Sequence, residues 1–388
     1  MTDHVAGFTS TGSKRPETLF GGDRDGLPTR MVRSSGCKVW DADGREYIDY
    51  VMGLGSVALG YGHPEVTQAA VHAVKDGVVG PLAPVVEEEL AAELCRLIPW
   101  IEQVRFLKTG AEAMAAAVRL ARLATRRDCI LGCGYHGWLD WCQGAGGVPH
   151  ATRALYDELP YNDPERSREL IRATGDKLAA VVFEPVVVQE PDPAWLKVLR
   201  DETARSGALL VVDEIKTVCR LAVGGASERY GIRPDLVVIG KALANGFPLA
   251  GVGGRREVMA GVSHTWISST LATEFVSLCA AKATLEVMVN RQVPDHLHRM
   301  GNRLLGGLGG LRHRYPQLIE GVGGLPEMCF LQYANETASQ SVSSACARAG
   351  LLFKRSAYNF VSLAHNEPVI DRSLQLLDEA LSMVAKSA

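Results

Sequence analysis

Four stretches end apolar runs in residues that are uncomfortable inside a protein. "VVIGKALANG" closes on Lys241, "LLVVDE" on Asp213 and "VVFEP" on Glu184, while "VRFLKTGAEA" leads through Thr109 and Gly110 into helix-forming residues from Ala111. A lysine or carboxylate at the end of a buried strand is desolvated unless paired, and an isolated one costs several kcal/mol. Lys241 would respond by losing its proton, and a neutral amine is a nucleophile able to form a Schiff base. The bland alternative is a lysine stem that reaches out to solvent. For Asp213 the corresponding alternative is a salt bridge to an arginine such as Arg220 or Arg119. At Thr109, Gly110 and Ala111, helix-opening N–H groups beside a hydroxyl suit a phosphate, although a threonine N-cap without ligand would read the same way.

Taken together, these ends narrow the chemistry. An attachment lysine, a buried acid for a ring nitrogen and a phosphate anchor are the three fixtures that pyridoxal 5'-phosphate requires. "GYHGW" at 134–138 adds Tyr135, a ring placed to lie against a flat cofactor or else to pack as an ordinary core aromatic.

Such residues need a scaffold that brings strand ends together. Five runs rich in branched residues recur at 104–107, 129–132, 179–185, 208–214 and 235–240, each continuous rather than alternating, so both faces of these strands are expected to be covered. Helical patterns lie between them from Ala111 and from Ala194 to Gly207, the latter ending in a glycine suited to a C-cap. Strands alternating with helices predict an α/β fold, a mostly parallel central sheet wrapped by helices, with ligands beyond the C-terminal strand ends. "KVWDADGREYIDYV" reads as a hairpin turning near Asp43 and Gly44. After about residue 290 the pattern becomes helical with glycine interruptions, then strand-like "MCFLQYA" and "FVSLAH", then a closing helix. The expected division is therefore 1–55 joining a smaller α+β domain, 56–290 as the large domain and 291–388 as the rest of the small one.

Composition sets outer bounds. The 388 residues are 47% hydrophobic and 22% charged with a net charge of -3, ordinary for a globular chain and without a basic face for nucleic acid or an anionic membrane. The N-terminus lacks the apolar core of a signal peptide, and no run approaches the ~18 apolar residues of a membrane span, so a cytoplasmic location is expected. The nine cysteines are scattered; Cys129 and Cys133 are the closest pair, and nothing nearby completes a zinc-like set, so no metal is expected.

The motifs resemble a known family. "FLKTGAEAMAAAVRLAR", "GYHGW", "VVFEPV", "LLVVDEIKTVCR" and "PDLVVIGKALANGFPLAGVGGR" are similar to those of class III aminotransferases, pyridoxal-phosphate enzymes of fold type I, with glutamate-1-semialdehyde aminomutases the nearest branch. "VWDADGREYIDYV", "LGYGHPEV" and "FVSLAH" extend the likeness from about residue 36 to 365. The resemblance implies that Lys241 holds the cofactor as a Schiff base and moves a proton at the substrate carbon, and that Asp213 pairs with the ring nitrogen. It implies further cofactor contacts from Thr109, Gly110, Ala111, Tyr135, His136, Glu184 and Ile215, with Ile215 and Tyr135 on opposite ring faces. Thr270 falls where a neighbouring subunit's threonine reaches the phosphate, which implies a homodimer with a shared site.

The chain also departs from the family pattern. Its phosphate turn reads Thr109-Gly110-Ala111 where Ser-Gly-Thr is usual, and Thr273-Glu274-Phe275 stand where Gly-Asn-Pro is common. A family serine near the substrate is Gly53 here, and "KRSAYN" carries Tyr358 and Asn359 where the aminomutases have a glutamate. Arg24, Lys354 and Arg355 are candidates to meet a substrate anion. Trp138, Trp266 and Tyr358 would line a pocket for a bulkier molecule.

The implied function is transamination between an amine or amino-acid donor and a carbonyl acceptor, both small molecules. Intramolecular amine migration of the glutamate-1-semialdehyde type is the alternative, then epimerisation, and outside enzymes a scaffold of the same fold that has lost catalysis.

Overall fold

A computed structural model describes residues 4–21 and 25–387. Contacts divide the chain into two units, Met1–His63 with Asp295–Ala388, and Pro64–Pro294. In the first, strands β1 (Met31–Ser35), β2 (Lys38–Asp41) and β3 (Glu46–Asp49) pair antiparallel. The expected hairpin turn is built by the Asp41 carboxylate, which accepts the N–H groups of Asp43 and Arg45 and the Tyr47 hydroxyl, while Gly44 takes φ +81°.

The unit Pro64–Pro294 holds β4 (Gln103–Leu107), helix α1 (Gly110–Thr125), β5 (Cys129–Cys133), β6 (Tyr156–Glu158), β7 (Leu178–Phe183), helix α2 (Pro193–Ser206), β8 (Leu209–Asp213), β9 (Leu236–Ile239), β10 (Ala250–Gly254) and helix α3 (Phe275–Asn290). They form a 7-stranded sheet in the order β4-β10-β9-β8-β7-β5-β6. β10 is antiparallel to both β4 and β9, and the remaining pairs are parallel. Apart from β10, every strand therefore points the same way.

Continuous apolar strands follow from this layering. Ala180, Val182, Val211 and Val238 join Ala113, Met114, Ala117 and Leu120 of α1 in one core. Their strand neighbours Val181, Phe183, Leu210 and Val212 turn to the other face and meet Trp195 and Leu199 of α2. Each such side chain, once buried, contributes about 1.5–3 kcal/mol. α2 ends at Gly207 with φ +73°, as its sequence predicted, and begins one residue earlier than expected, at Pro193 behind an Asp192 cap. β10 was not expected, because "AGVGG" carries a single branched residue. Its glycines serve close approach: a Cβ on Gly254 would lie 2.3 Å from the Asp235 carbonyl oxygen.

Helix α4 (Val293–Arg314) follows, and its glycines do not interrupt it. At Gly301 a Cβ would lie 1.9 Å from the Pro326 carbonyl oxygen, so the glycine is a packing contact and not a break. The Asp295–Ala388 segment then adds β11 (Ile319–Leu325), β12 (Met328–Tyr333), helix α5 (Glu336–Arg348), β13 (Leu351–Leu352), β14 (Asn359–Phe360) and helix α6 (Glu367–Ser387). β13 lies parallel beside β3, and β14 pairs with β12. Of "FVSLAH" only Phe360 is strand; the rest turns back, with Ser362 Oγ and its N–H both on His365 Nδ1.

Among the described residues no helix is long and apolar enough to cross a membrane, and no cluster of metal-ligating side chains occurs.

Candidate active site

Parallel strands put their C-terminal ends on one edge, so the residues following β4, β5, β7, β8 and β9 converge there. These are Thr109, Gly134–His136, Glu184, Asp213 with Ile215 and Lys216, and Lys241. Register tightens the placement: Asp213 pairs with Val238, three residues before Lys241.

Lys241 is half-buried and has φ +45°, a left-handed backbone that costs a non-glycine residue roughly 1–3 kcal/mol. Its pKa is pulled below the ordinary lysine value of 10.5, first by burial and then by the neighbouring Lys216 ammonium, against the opposing pull of Glu184 and Asp213. Arg220 adds to the lowering. The chain follows it into a short turn, Lys241–Ala244, and Asn245 is again left-handed. A strained backbone carrying an amine whose pKa is lowered is the arrangement of a nucleophile.

The buried Asp213 is paired, but with neither arginine suggested by the sequence. Its Oδ2 lies 2.8 Å from His136 Nδ1, and its Oδ1 accepts the Ile215 N–H at 3.1 Å. Arg119 instead donates to the Trp266 carbonyl. His136 is buried with its other ring nitrogen, Nε2, left without a protein hydrogen-bond partner. Glu184 is held from two sides, accepting the Tyr135 N–H at 3.0 Å and forming an ion pair with Lys216 at 3.0 Å. Gly134, at φ +107°, lets that carboxylate approach: a Cβ there would sit 2.7 Å from Glu184 Oε2.

Thr109 caps α1 in a capping box. Its hydroxyl accepts the Glu112 N–H, and the Glu112 carboxylate accepts the Thr109 N–H and hydroxyl. The N–H groups of Gly110 and Ala111 open the helix without intrahelical acceptors, as any first turn does. A Cβ on Gly110 would lie 2.6 Å from Ile215 Cδ1, so Ile215 packs directly over this turn. Tyr135 is 68% exposed, Trp138 74% and Trp266 88%, and Thr270 is also exposed.

The substrate candidates of the other unit have different surroundings. Gly53 has φ +57° between the left-handed Met52 and Leu54, an uncommon run that the Asp49 carboxylate supports by accepting the Val51 and Met52 N–H groups. Asn359 is fully buried, with its amide engaged at both ends by the backbone of Lys354. Tyr358 packs edge-on to Phe330 at 5.8 Å. Lys354 donates to the Ala357 carbonyl, and Arg355 is held by the Glu17 and Thr18 carbonyls and by Glu336. Arg24 lies outside the described residues.

A model of the class-III aminotransferases matches residues 22–385. The chain belongs to this family. A glutamate-1-semialdehyde 2,1-aminomutase of Thermus thermophilus is 35% identical over 393 residues, covering 92% of each chain. Among solved structures, the FumI protein of Sphingopyxis sp. MTA144 in its PLP internal aldimine form superposes with a TM-score of 0.93 at 25% identity, covering 98% of this chain and 94% of its own. A β-phenylalanine aminotransferase from Variovorax paradoxus gives 0.87 at 25% identity, covering 99% and 92%. The fold is thus fold type I, and this class-III aminotransferase is a pyridoxal-phosphate-dependent enzyme.

The donor set suits that cofactor. It offers an amine biased toward neutrality, a buried carboxylate with a fixed orientation, a helix-opening pair of N–H groups and a buried ring nitrogen on His136 that no protein group satisfies. Three residues at this edge were not singled out from the sequence for it: Lys216, Lys108 and Glu274. Lys216 had a legible signal, a charge three residues after Asp213 inside a segment otherwise buried.

Proposed function

We propose that this enzyme moves an amino group between an amine or amino-acid donor and a carbonyl acceptor, with Lys241 as both attachment point and general base. The observation that carries the reading is Lys241 itself, strained at φ +45° and with a lowered pKa one strand away from Asp213. When bound, pyridoxal phosphate supplies an electron sink for the charge that develops as a proton leaves the substrate carbon next to nitrogen. Lys241 Nζ takes that proton and returns one, a role that requires it neutral at working pH. Asp213, oriented by His136, keeps a positive charge on the ring nitrogen by offering it a buried carboxylate.

The N–H groups of Gly110 and Ala111, with Thr109, hold the phosphate at the N-terminus of α1. Ile215 and Tyr135 flank the ring, and Glu184 fixes the loop that carries Tyr135. Thr270, exposed in the Pro64–Pro294 unit, completes the phosphate site of a second copy of the chain, so the working form is a homodimer; the reading places it in the cytoplasm. Trp138, exposed in the same Pro64–Pro294 unit, borders the substrate in this reading.

Amine migration within one molecule is the second reading, favoured by the 35% identity to an enzyme named as an aminomutase. The two separate in a half-reaction. Under the aminotransferase reading, donor alone converts the cofactor to pyridoxamine phosphate and releases one equivalent of carbonyl product, and a keto acid reverses the change. An isomerised amine with no released carbonyl and no need for acceptor would sink it.

A further inference from the structure

One charged pair beside the phosphate turn has no part in the chemistry above. Lys108 ends the segment leading from β4 into Thr109, and its ammonium lies 2.6 Å from Glu274 Oε1. The pair is well enclosed, with side chains 14% and 10% exposed, and 166 residues of sequence separate the partners. Enclosure makes the geometry costly to disturb, since removing one member leaves the other buried and unpaired.

Both partners are anchored by more than each other. Glu274 is the N-cap of α3, accepting the Val276 N–H at 2.7 Å and the Ser277 N–H at 3.0 Å. The backbone N–H of Lys108 donates to Glu112 Oε2, the same carboxylate that accepts from Thr109. Glu274, Lys108, Glu112 and Thr109 therefore form one continuous chain of bonds running from the first turn of α3 to the first turn of α1. The Glu274 carboxyl stays below its ordinary pKa despite burial, because the Lys108 ammonium and the Ser277 N–H favour its charge. Glu274 is also one of the residues at which the chain departs from the family pattern.

We propose that the Lys108–Glu274 pair is a positioning device for the phosphate turn: it ties residues 108–111 to the start of α3 and thereby sets how tightly the cofactor's phosphate is held. The inference rests on the reading of Thr109–Ala111 as the phosphate cradle. Lys108 acts through the turn's backbone, and its own charge is already matched by Glu274. The turn carries few bonds of its own beyond its capping box, so its position relies on what holds its two ends. Helix α1 holds one end; at the other, β4 pairs Leu107 with Ala250 and the ion pair ties down the residue that follows.

The test compares pyridoxal phosphate with pyridoxal, which lacks the phosphate, on refolded or dialysed apoenzyme. Dissociation constants are read from visible absorbance for wild type, Lys108→Met, Glu274→Gln, the double variant and Lys108→Arg, alongside apoenzyme melting temperatures. Each single change should weaken pyridoxal phosphate about tenfold or more while leaving pyridoxal within about twofold. The double variant should be no worse than the poorer single one, as expected for residues acting as a unit. Lys108→Arg, which keeps a cation on Glu274, should restore most of the loss. Variants that melt lower but keep the wild-type ratio of the two affinities would overturn the proposal, as would tighter phosphate binding in Glu274→Gln. If wild type itself captured neither compound, the failure would belong to the reading of the site and not to the pair.

Discussion

Two places in this molecule drew attention for the same reason, charged or polar residues in apolar company, and the structure treats them in opposite ways. At the strand-end edge of Pro64–Pro294, Lys241 is strained with a depressed pKa and His136 keeps an unsatisfied buried nitrogen. Across residues 354–359 of the other unit, Asn359 closes its loop on the Lys354 backbone, and Arg355 clamps two carbonyls of the N-terminal segment and Glu336. The first region holds groups the fold leaves in difficulty. The second has resolved most of its own, leaving only the buried Lys354 ammonium, on the Ala357 carbonyl, below its ordinary pKa. Discomfort that local bonding does not relieve points to a ligand, whereas relieved discomfort points to architecture.

The largest effect should come from Lys241→Ala, which should lower turnover by about a thousandfold or more while the apoenzyme melts no lower than wild type. A large loss of stability instead would place Lys241 with the architectural residues. Asp213→Asn keeps an oxygen for His136 but removes the charge. It should cost about a hundredfold or more in kcat with cofactor still captured; unchanged kcat would contradict its role at the ring nitrogen.

A third prediction concerns pH. Because the folded pKa of Lys241 lies below 10.5, the folded apoenzyme binds fewer protons at this group than the unfolded chain does between those two values. Its contribution to apoenzyme stability therefore rises with pH through that window and is least below the depressed value. The same neutral amine attacks the cofactor, so the rate of pyridoxal phosphate capture should rise with pH and level off below 10.5. A rate still climbing beyond 10.5 would mean an ordinary lysine. The smallest effect is expected on the other side of the comparison. Asn359→Ala should cost about 1–3 kcal/mol of stability by leaving the Lys354 backbone unpaired, with pyridoxal phosphate affinity unchanged. An altered donor preference without a loss of stability would instead return Asn359 to the substrate site.

Much of the large unit was legible because its strands are uninterrupted apolar runs and its helices carry clean caps, as at Thr109 and Gly207. β10 was hidden, since glycines chosen for close backbone approach erase the side-chain pattern that marks a strand. In α4 glycines suggested breaks that do not occur, and two of them, Gly301 against Pro326 and Gly307 against Leu374, make close contacts. Individual candidates could be named from position at strand ends, but their pairings could not. The partnership of Asp213 with His136 spans 77 positions and that of Lys108 with Glu274 spans 166, distances over which no sequence spacing speaks.

Reduction of the loaded enzyme with borohydride, followed by proteolysis and mass spectrometry, tests the central claim most directly. The account predicts one modified peptide, with the mass of the reduced cofactor on Lys241 and none on Lys216 or Lys108. Cofactor fixed to another lysine, or visible absorbance that borohydride cannot fix to the chain, would contradict it.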